Sequence, residues 1–540
     1  MAFNMTIEKK KKKSKKKNAT IYKCEICNKT SNQKSHHNIH LESELHKEKC
    51  INFMHQLEKI NSKDLKKLYG TSDVNIIINM KNKKYFNGIE TSYNIVTEPI
   101  KKKLENKLLW KMDKKSKDND KKYLDYKTKL EGIIKKCHDI LYSNGSIVGV
   151  KAMNDIMRLL TLKLLQIEFQ KEDSVLWNRC NEIKAENNMT DTKFKKLKMY
   201  CKDITQIFKQ GKGFKNQWKL LVNQLLSKLF NIYAQEDELF NTDNEESLSE
   251  IVNIIDKLEI SEDFIDSYGT SCGDIHELFT SYGGKASSKA LGAFFTPRKL
   301  IDIILGPLGV KDLMMKYKNG DIFDPCMGTA GFLTRAYKLC DGNLNLHGCE
   351  TSLDTIKFAY CSVLLTTGKP VDNLEKCDSL SESKSLITKK YDIILTNPPF
   401  GTKQTYKKTK KVKRGHLEKF NEKFPDSQTK FNEIYPIITN NGACLFIQNC
   451  VFRLKEGGLC AIVLPDGELF EGQSKWSKAF RSWWCKKVNI IKILKVPGGT
   501  FEHAGVKTNV VVFTKTGPTQ NIEFLQTTKE CDTLTYLTTI

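Results

Sequence analysis

From residue 320 onward the chain repeats one pattern: a short apolar run, then a stretch in which apolar residues return every three or four positions. The runs are GDIFD, LHGCE, a weaker piece near NLEKCD, YDIILT, LCAIVLP, NIIKILKV and VVVFTK. Runs of this length read as buried strands, and the helix-spaced stretches between them as crossovers. Seven candidate strands alternating with helices predict a doubly wound α/β sheet. Ligands of such sheets bind at the carboxyl ends of the strands. From about 147 to 265 the periodicity is helical instead, as in IMRLLTLKLLQIEF (156–169) and WKLLVNQLLSKLFNIY (218–233), with Gly and Pro scarce. This predicts a helical domain. Residues 51–145 are Lys-rich and weakly patterned, with room for a short helix and a strand, and no role is assigned to them. No run approaches the roughly 18 apolar residues of a membrane span.

Length and composition narrow the picture. A chain of 540 residues is long enough for two to four domains and at least one large core. A formal charge of +25 points to a polyanionic partner, most simply nucleic acid. Lys, Asn and Ile are all abundant, so genome bias explains part of the excess. The lysines also cluster: residues 9–17 are all Lys except Ser14. That block reads as a disordered basic arm, either a phosphate-binding or targeting segment or a solvated tail. The 17 cysteines are scattered, and the Lys-rich N-terminus is no signal peptide. A soluble, reducing, intracellular setting is expected.

Two stretches carry chemistry. The first, DIFDPCMGTAGFL (321–333), is a strand ending in Asp324, followed by a loop in which Gly328 and Gly331 allow sharp turns and close backbone approach. The second, YDIILTNPPFG, ends in Asn397-Pro398-Pro399-Phe400. Two prolines fix φ and remove two donors, leaving a rigid corner of carbonyls and one amide side chain. The Asn397 side-chain oxygen and the Pro398 carbonyl can accept both hydrogens of a planar NH2 group, and Phe400 can stack on the attached ring. Accepting both hydrogens takes the nitrogen lone pair out of conjugation and makes it a nucleophile. Asp324, Glu350, Asp378 and Asn397 all fall at predicted strand ends, the convergence expected of one site.

A third motif lies near the N-terminus. Cys24 and Cys27, then His40 and His46, have the C-x2-C-x12-H-x5-H spacing of a zinc site. Ser31 and His37 stand where such fingers usually carry apolar residues, and His36, His37 and Cys50 are alternative ligands.

In the order and position of these motifs, roughly residues 270–520 resemble the S-adenosylmethionine-dependent amino-methylating DNA methyltransferases, above all the modification subunits of type I restriction–modification systems. The resemblance implies a seven-stranded methyltransferase (Rossmann-like) domain behind a helical domain that closes over DNA. It assigns Thr296 and Pro297, in GAFFTPR (292–298), to the methionine end of S-adenosylmethionine. Asp324 takes the cofactor's amino-acid portion, with Gly328, Thr329 and Gly331 in the loop around it. Glu350 takes the ribose hydroxyls and Asp378 the adenine amino group. Asn397, Pro398, Pro399 and Phe400 become the catalytic corner for the N6 amino group of an adenine rotated out of double-stranded DNA. Cytosine N4, RNA or a protein glutamine amide would present the same NH2 group, and an inactive nucleic-acid-binding protein is a further alternative. A specificity subunit or a restriction nuclease is the implied partner. Lys407, Lys408, Lys410, Lys411, Lys413 and Arg414 lie just past the corner and would face DNA phosphates, unless 401–430 is a surface insertion.

The expected organisation is a basic arm (1–20), a C2H2 finger holding zinc (21–50), the unassigned region (51–145), a helical domain (146–290), the catalytic domain (291–520) and a C-terminal tail (521–540). A zinc finger joined to a restriction-type methylase, with A+T-biased residue usage, suggests a large DNA virus and hence the host cytoplasm or nucleus.

Overall fold

The computed structural model describes residues 7–10, 19–24, 29–31, 107–145, 147, 149–209, 213–230, 239–258, 296–370, 372–400, 415–427, 429–472, 474–501 and 505–540. The chain divides into two compact units, one of residues 1–102 with 473–482 and one of 103–472 with 483–540. In the first, three strands form an antiparallel sheet: β1 (Ile7–Lys10), β2 (Ala19–Cys24) and β3 (Lys29–Ser31). Cys24 ends β2; Cys27, His40 and His46 lie outside the described residues, as does most of the expected finger.

The second unit is built on a ten-stranded sheet. Its strands are β4 (Lys107–Lys111), β5 (Gly320–Asp324), β6 (Leu344–Glu350), β7 (Leu374–Lys376), β8 (Tyr391–Thr396), β9 (Leu454–Pro465), β10 (Asn489–Val496), β11 (Thr508–Thr514), β12 (Glu523–Thr527) and β13 (Thr533–Thr539). They lie in the order β4-β13-β12-β10-β11-β9-β8-β5-β6-β7. From β9 to β7 every pairing is parallel, and β11 runs antiparallel between β9 and β10. The order steps outward from β5 in both directions, through β6 and β7 on one side and β8 and β9 on the other. Right-handed crossovers then put the connecting helices on opposite faces. The break between β5 and β8 is the topological switch point.

The seven expected strands are β5 to β11. The sheet is nevertheless wider than seven, and residues 521–540 are not a tail, because β12 pairs with β10, β13 with β12, and β4 with β13. β13 reads TLTYLTT, half of it open to solvent, so it carries no apolar run. β4 comes from the unassigned Lys-rich region, as does the 32-residue helix α1 (Lys114–Gly145). The helical part therefore starts at 114, ahead of the expected 146. α1 buries Leu130, Ile134, Cys137 and Leu141, a single stripe at spacings of four, three and four.

Helix α2 (Gly149–Phe169) buries Leu159, Leu160, Leu162, Leu164 and Leu165, residues that point all round it. Its sequence is apolar on every side because α1 and α6 (Glu245–Asp256) cover part of it and the sheet layer the rest. Between α2 and α6 run α3 (Val175–Glu186), α4 (Asp191–Lys202) and α5 (Phe214–Leu221), α3 and α4 being capped by Ser174 and Thr190. The sheet side contributes α7 (Arg298–Leu305), α8 (Gly331–Leu339) and α9 (Leu353–Thr367). α9 lies against α2, with the Phe230 and Tyr360 rings edge to face at 5.0 Å. The helical layer and this side of the sheet thus share one core.

Candidate active site

β5 carries its chain inward, burying Ile322, Phe323 and Asp324, and then the backbone reverses. Gly328 has φ 52° and Ala330 φ 67°, both left-handed, so the turn into α8 strains Ala330 where glycine would sit freely. The loop is held by the Met327 amide donating to the Cys349 carbonyl (3.0 Å) and the Ala330 amide to the Met327 carbonyl (2.8 Å). Met327 crosses β6 over Gly348, where a Cβ would stand 2.3 Å from its sulfur. A side chain at 348 would press on Met327 and make its side chain shift. Gly331 opens α8, and Thr329 is buried beside it.

The carboxylates gather along the same edge. Asp324 pairs in register with Gly348, two residues before Glu350, and Glu350 pairs with Lys376, two residues before Asp378. Asp324 is 2% exposed, and burial pushes its carboxyl up to about 7; the Thr396 hydroxyl and the Cys326 amide (2.9 Å) oppose this, while Glu350 adds to it. Burial also raises Glu350, against the amides of Ser352 (2.8 Å), Thr351 and Gly328. Asp378 goes the other way. Burial alone would raise it, but the His416 imidazole (Nδ1 at 3.2 Å) and the Lys419 ammonium (Nζ at 3.1 Å) hold it well below the usual carboxylate range. Its other oxygen accepts from the Leu380 amide at 3.1 Å.

β8 delivers the corner. Ile394 lies abreast of Phe323, so Thr396 and Asn397 emerge next to Asp324 at the switch point. Asn397 is 9% exposed and Phe400 is buried, its ring edge-on to Phe501 at 5.2 Å. Beneath the corner the Arg453 guanidinium lies over Phe323 at 3.9 Å, and Phe323 stacks on Tyr391 at 4.4 Å. Thr296 and Pro297 are half-buried at the head of α7, where the Pro297 carbonyl accepts from the Leu300 and Ile301 amides. Pro297 therefore stands immediately before the helix, at its N-cap. α7 is tied to α8 through Arg335 and Asp302 (2.6 Å).

The structure thus brings Asp324, Gly328, Thr329, Gly331, Glu350, Asp378 and Asn397 with its Pro-Pro-Phe turn to one edge of one sheet. Lys407, Lys408, Lys410, Lys411, Lys413 and Arg414 lie outside the described residues. Four contributors escaped the sequence reading: Met327 and Gly348, whose contact is long-range, Phe501 from the β10–β11 connection, and the His416–Lys419 pair. The last pair sits on α10 (His416–Lys423), within the stretch expected to be a basic loop.

Residues 269–536 match the family model of the N-6 DNA methylases. That match covers just under half of the chain, and the catalytic part is similar to this family. Among the relatives, the type I restriction enzyme EcoEI methylase subunit of Escherichia coli is 24% identical over 74% of this chain and 77% of its own length. The StySJI methylase subunit of Salmonella typhimurium is 27% identical over 50% of this chain and 49% of its own. The chain therefore spans about three quarters of the first relative and half of the second. A solved type I methyltransferase subunit from Streptococcus thermophilus aligns with 15% identity and a TM-score of 0.49, over 74% of this chain and 87% of that one.

For an N-6 DNA methylase the implied cofactor is S-adenosylmethionine, which carries an ammonium group, two ribose hydroxyls and an adenine amino group. The edge offers acceptors for each: three carboxylates and a loop free of bulky side chains at 328 and 330. Asp378 already accepts from His416, Lys419 and Leu380, yet each carboxylate oxygen has two acceptor positions. The donor and acceptor chemistry fits the cofactor.

Proposed function

We propose that this chain is a site-specific DNA methyltransferase that methylates the N6 amino group of adenine in double-stranded DNA. The observation that carries this reading is the buried Asn397-Pro398-Pro399-Phe400 turn, one residue past β8 and beside Asp324 at the switch point of a sheet in the part of the chain that matches the N-6 DNA methylases.

The residues divide the work. Asp324 and the Gly328–Gly331 loop hold the amino-acid end of S-adenosylmethionine, Thr296 and Pro297 its methionine side, Glu350 its ribose and Asp378 its adenine. When bound, that cofactor supplies an electrophilic methyl group on a sulfonium. The side-chain oxygen of Asn397 and the carbonyl of Pro398 accept the two hydrogens of the target amino group, which turns its lone pair out of the ring. Pro399 stiffens the turn, and Phe400 offers the base a face that offsets part of the cost of leaving the stack, a few kcal/mol. Holding two reactants in line at a dry site is the main catalytic task, so positioning and local electrostatics carry the rate. Lys407, Lys408, Lys410, Lys411, Lys413 and Arg414 hold phosphates around the target.

The relatives are methylase subunits of type I restriction enzymes, so a specificity subunit or a restriction nuclease is the partner we infer. At the N-terminus, Cys24, Cys27, His40 and His46 bind zinc in a C2H2 finger that adds affinity for nucleic acid.

Tritiated-methyl transfer from S-adenosylmethionine to unmethylated duplex DNA tests this reading, with nucleoside analysis of the product. Wild type should yield N6-methyladenine. Asn397→Ala should lose about a hundred- to a thousandfold in rate, as expected when a transition-state hydrogen-bonding group is removed, with cofactor affinity changed less than threefold. N4-methylcytosine as product, or transfer only to RNA or protein, would replace the substrate. Absence of cofactor binding would end the enzyme reading.

A further inference from the structure

Directly behind the cofactor edge, β6 and β7 bring together three side chains that the catalytic reading does not use. Cys349 on β6 lies opposite Glu375 on β7, and Cys377 follows two residues later on the same face. One sulfur of each cysteine and one Glu375 oxygen all lie within 4.8 Å of one another. Cys377 Sγ is 3.8 Å from Glu375 Oε2. Among the described residues this is the one group of His, Cys, Asp and Glu side chains with such convergence. We propose that Cys349, Glu375 and Cys377 bind a thiophilic divalent cation of the zinc type, which fastens β7 to β6 immediately behind Glu350 and Asp378.

Three features support a site over two cysteines that merely fill space. The first is reach: tetrahedral zinc with sulfur at about 2.3 Å places its ligand atoms roughly 3.8 Å apart, so closing the triad needs shifts of about 1 Å at most. The second is orientation. Glu375 is held by the Lys384 amide (2.8 Å) on Oε2 and by the Ser383 (3.3 Å) and Ser385 (3.1 Å) hydroxyls on Oε1. Outer contacts of this kind fix a ligating carboxylate in place. The third is charge. Ser385 also accepts from the Arg453 guanidinium at 2.6 Å, and Arg453 is fully buried with no carboxylate paired to it directly among the described residues. With both thiols protonated, Glu375 and Arg453 sum to zero. A divalent cation that displaces the two thiol protons leaves two thiolates, one carboxylate, one guanidinium and the ion, which again sum to zero. The pocket takes the ion without gaining net charge, so the usual obstacle to a buried ion is absent. Cys377 and Glu375 are partly exposed, which gives the ion a route in, while Cys349 is buried.

The consequence follows from the chain. Cys349 immediately precedes Glu350, Cys377 immediately precedes Asp378, and the Cys377 amide donates to the Glu350 carbonyl at 3.0 Å. An ion here pins both carboxylates at once. That effect on the cofactor rests on the proposed function; the ion site itself does not.

The test uses the full-length chain under reducing conditions, with Cys24→Ser/Cys27→Ser introduced so that an N-terminal finger cannot contribute. Titration with Co2+ should give one equivalent bound, with the thiolate-to-cobalt charge-transfer absorption and strong visible bands of a tetrahedral ion, all removed by Zn2+. Adding Cys377→Ser should abolish the charge-transfer band or weaken binding at least a hundredfold. Glu375→Gln, which disturbs the fold least, should keep the band and weaken binding about tenfold. Circular dichroism of each variant separates loss of the site from loss of the fold. No charge-transfer band in the Cys24→Ser/Cys27→Ser chain overturns the proposal, as does a band and affinity unchanged by both Cys377→Ser and Glu375→Gln. Transfer activity plays no part in this readout, so a failed methyltransferase reading and a failed ion site are told apart.

Discussion

Asp324 puts a carboxyl group where water does not reach, and burial lifts it to about 7. A carboxyl raised in the folded chain stabilises the fold fully below its unfolded value of about 4, and that contribution is lost as pH rises toward 7. The cofactor-free protein should therefore lose thermal stability between about pH 4 and 7 in a step that Asp324→Asn removes. Binding reverses the preference. On the proposed reading the ammonium end of S-adenosylmethionine meets the ionised carboxylate, so the proton must leave on binding. Calorimetry should show cofactor affinity rising about tenfold per pH unit up to about 7 and levelling above it, with Asp324→Asn weak and flat. A wild-type affinity that does not change between pH 5.5 and 8 would show that Asp324 does not face the ammonium.

At the scale of elements, α10 is tied to the cofactor edge by one residue. His416 and Lys419 both hold Asp378, so the helix that follows the basic stretch also sets the position of an acceptor in the site. Asp378 is depressed in the fold, so its pairing stabilises above about pH 4 and fades as pH falls below that. A double-mutant cycle of Asp378→Asn with His416→Gln, read by urea unfolding at pH 7, should give a coupling of about 1–3 kcal/mol. A coupling below about 0.3 kcal/mol would make the contact incidental. The sequence did not announce this element. HLEKFNEK has only Leu417 and Phe420 among charges to set a period, and the contact that gives it meaning spans 38 positions of chain, from 378 to 416. β5 and β8 were legible for the opposite reason: the last three residues of GDIFD and all but Asp392 of YDIILT are buried, and each run ends in a polar residue that a buried strand has no structural use for. β12 and β4 were hidden because each is only five residues long, and β13 because threonines interrupt its apolar positions, so their partners decide these strands more than their own residues do. Of the two glycines expected to make the turn, Gly328 is left-handed but Gly331 opens α8, and the second left-handed position is Ala330.

For the molecule as a whole, a segment from before the helical layer and another from the far end of the chain meet at one margin of the sheet, with Leu534 in register with Trp110. The helices between them are thereby enclosed in the same unit as the sheet. That unit can keep its site fixed while charge elsewhere on the chain gathers a polyanion. The 88 Lys and Arg against 63 Asp and Glu leave +25, and six of the cations cluster at 407–414, just past Phe400. Each phosphate neutralised on a duplex contributes about −0.9 to the slope of log affinity against log salt. If those six lie on phosphates, replacing Lys407, Lys408, Lys410, Lys411, Lys413 and Arg414 by Gln should make the slope shallower by about 5. Affinity at low salt should fall with it, at the same ratio for unrelated DNA sequences, because phosphate contacts carry no base information. Cofactor affinity, set by the buried carboxylates, should stay within threefold. An unchanged slope would place the phosphate contacts elsewhere on this basic chain, whereas a changed slope with sequence-dependent losses would mean that the cluster reads bases.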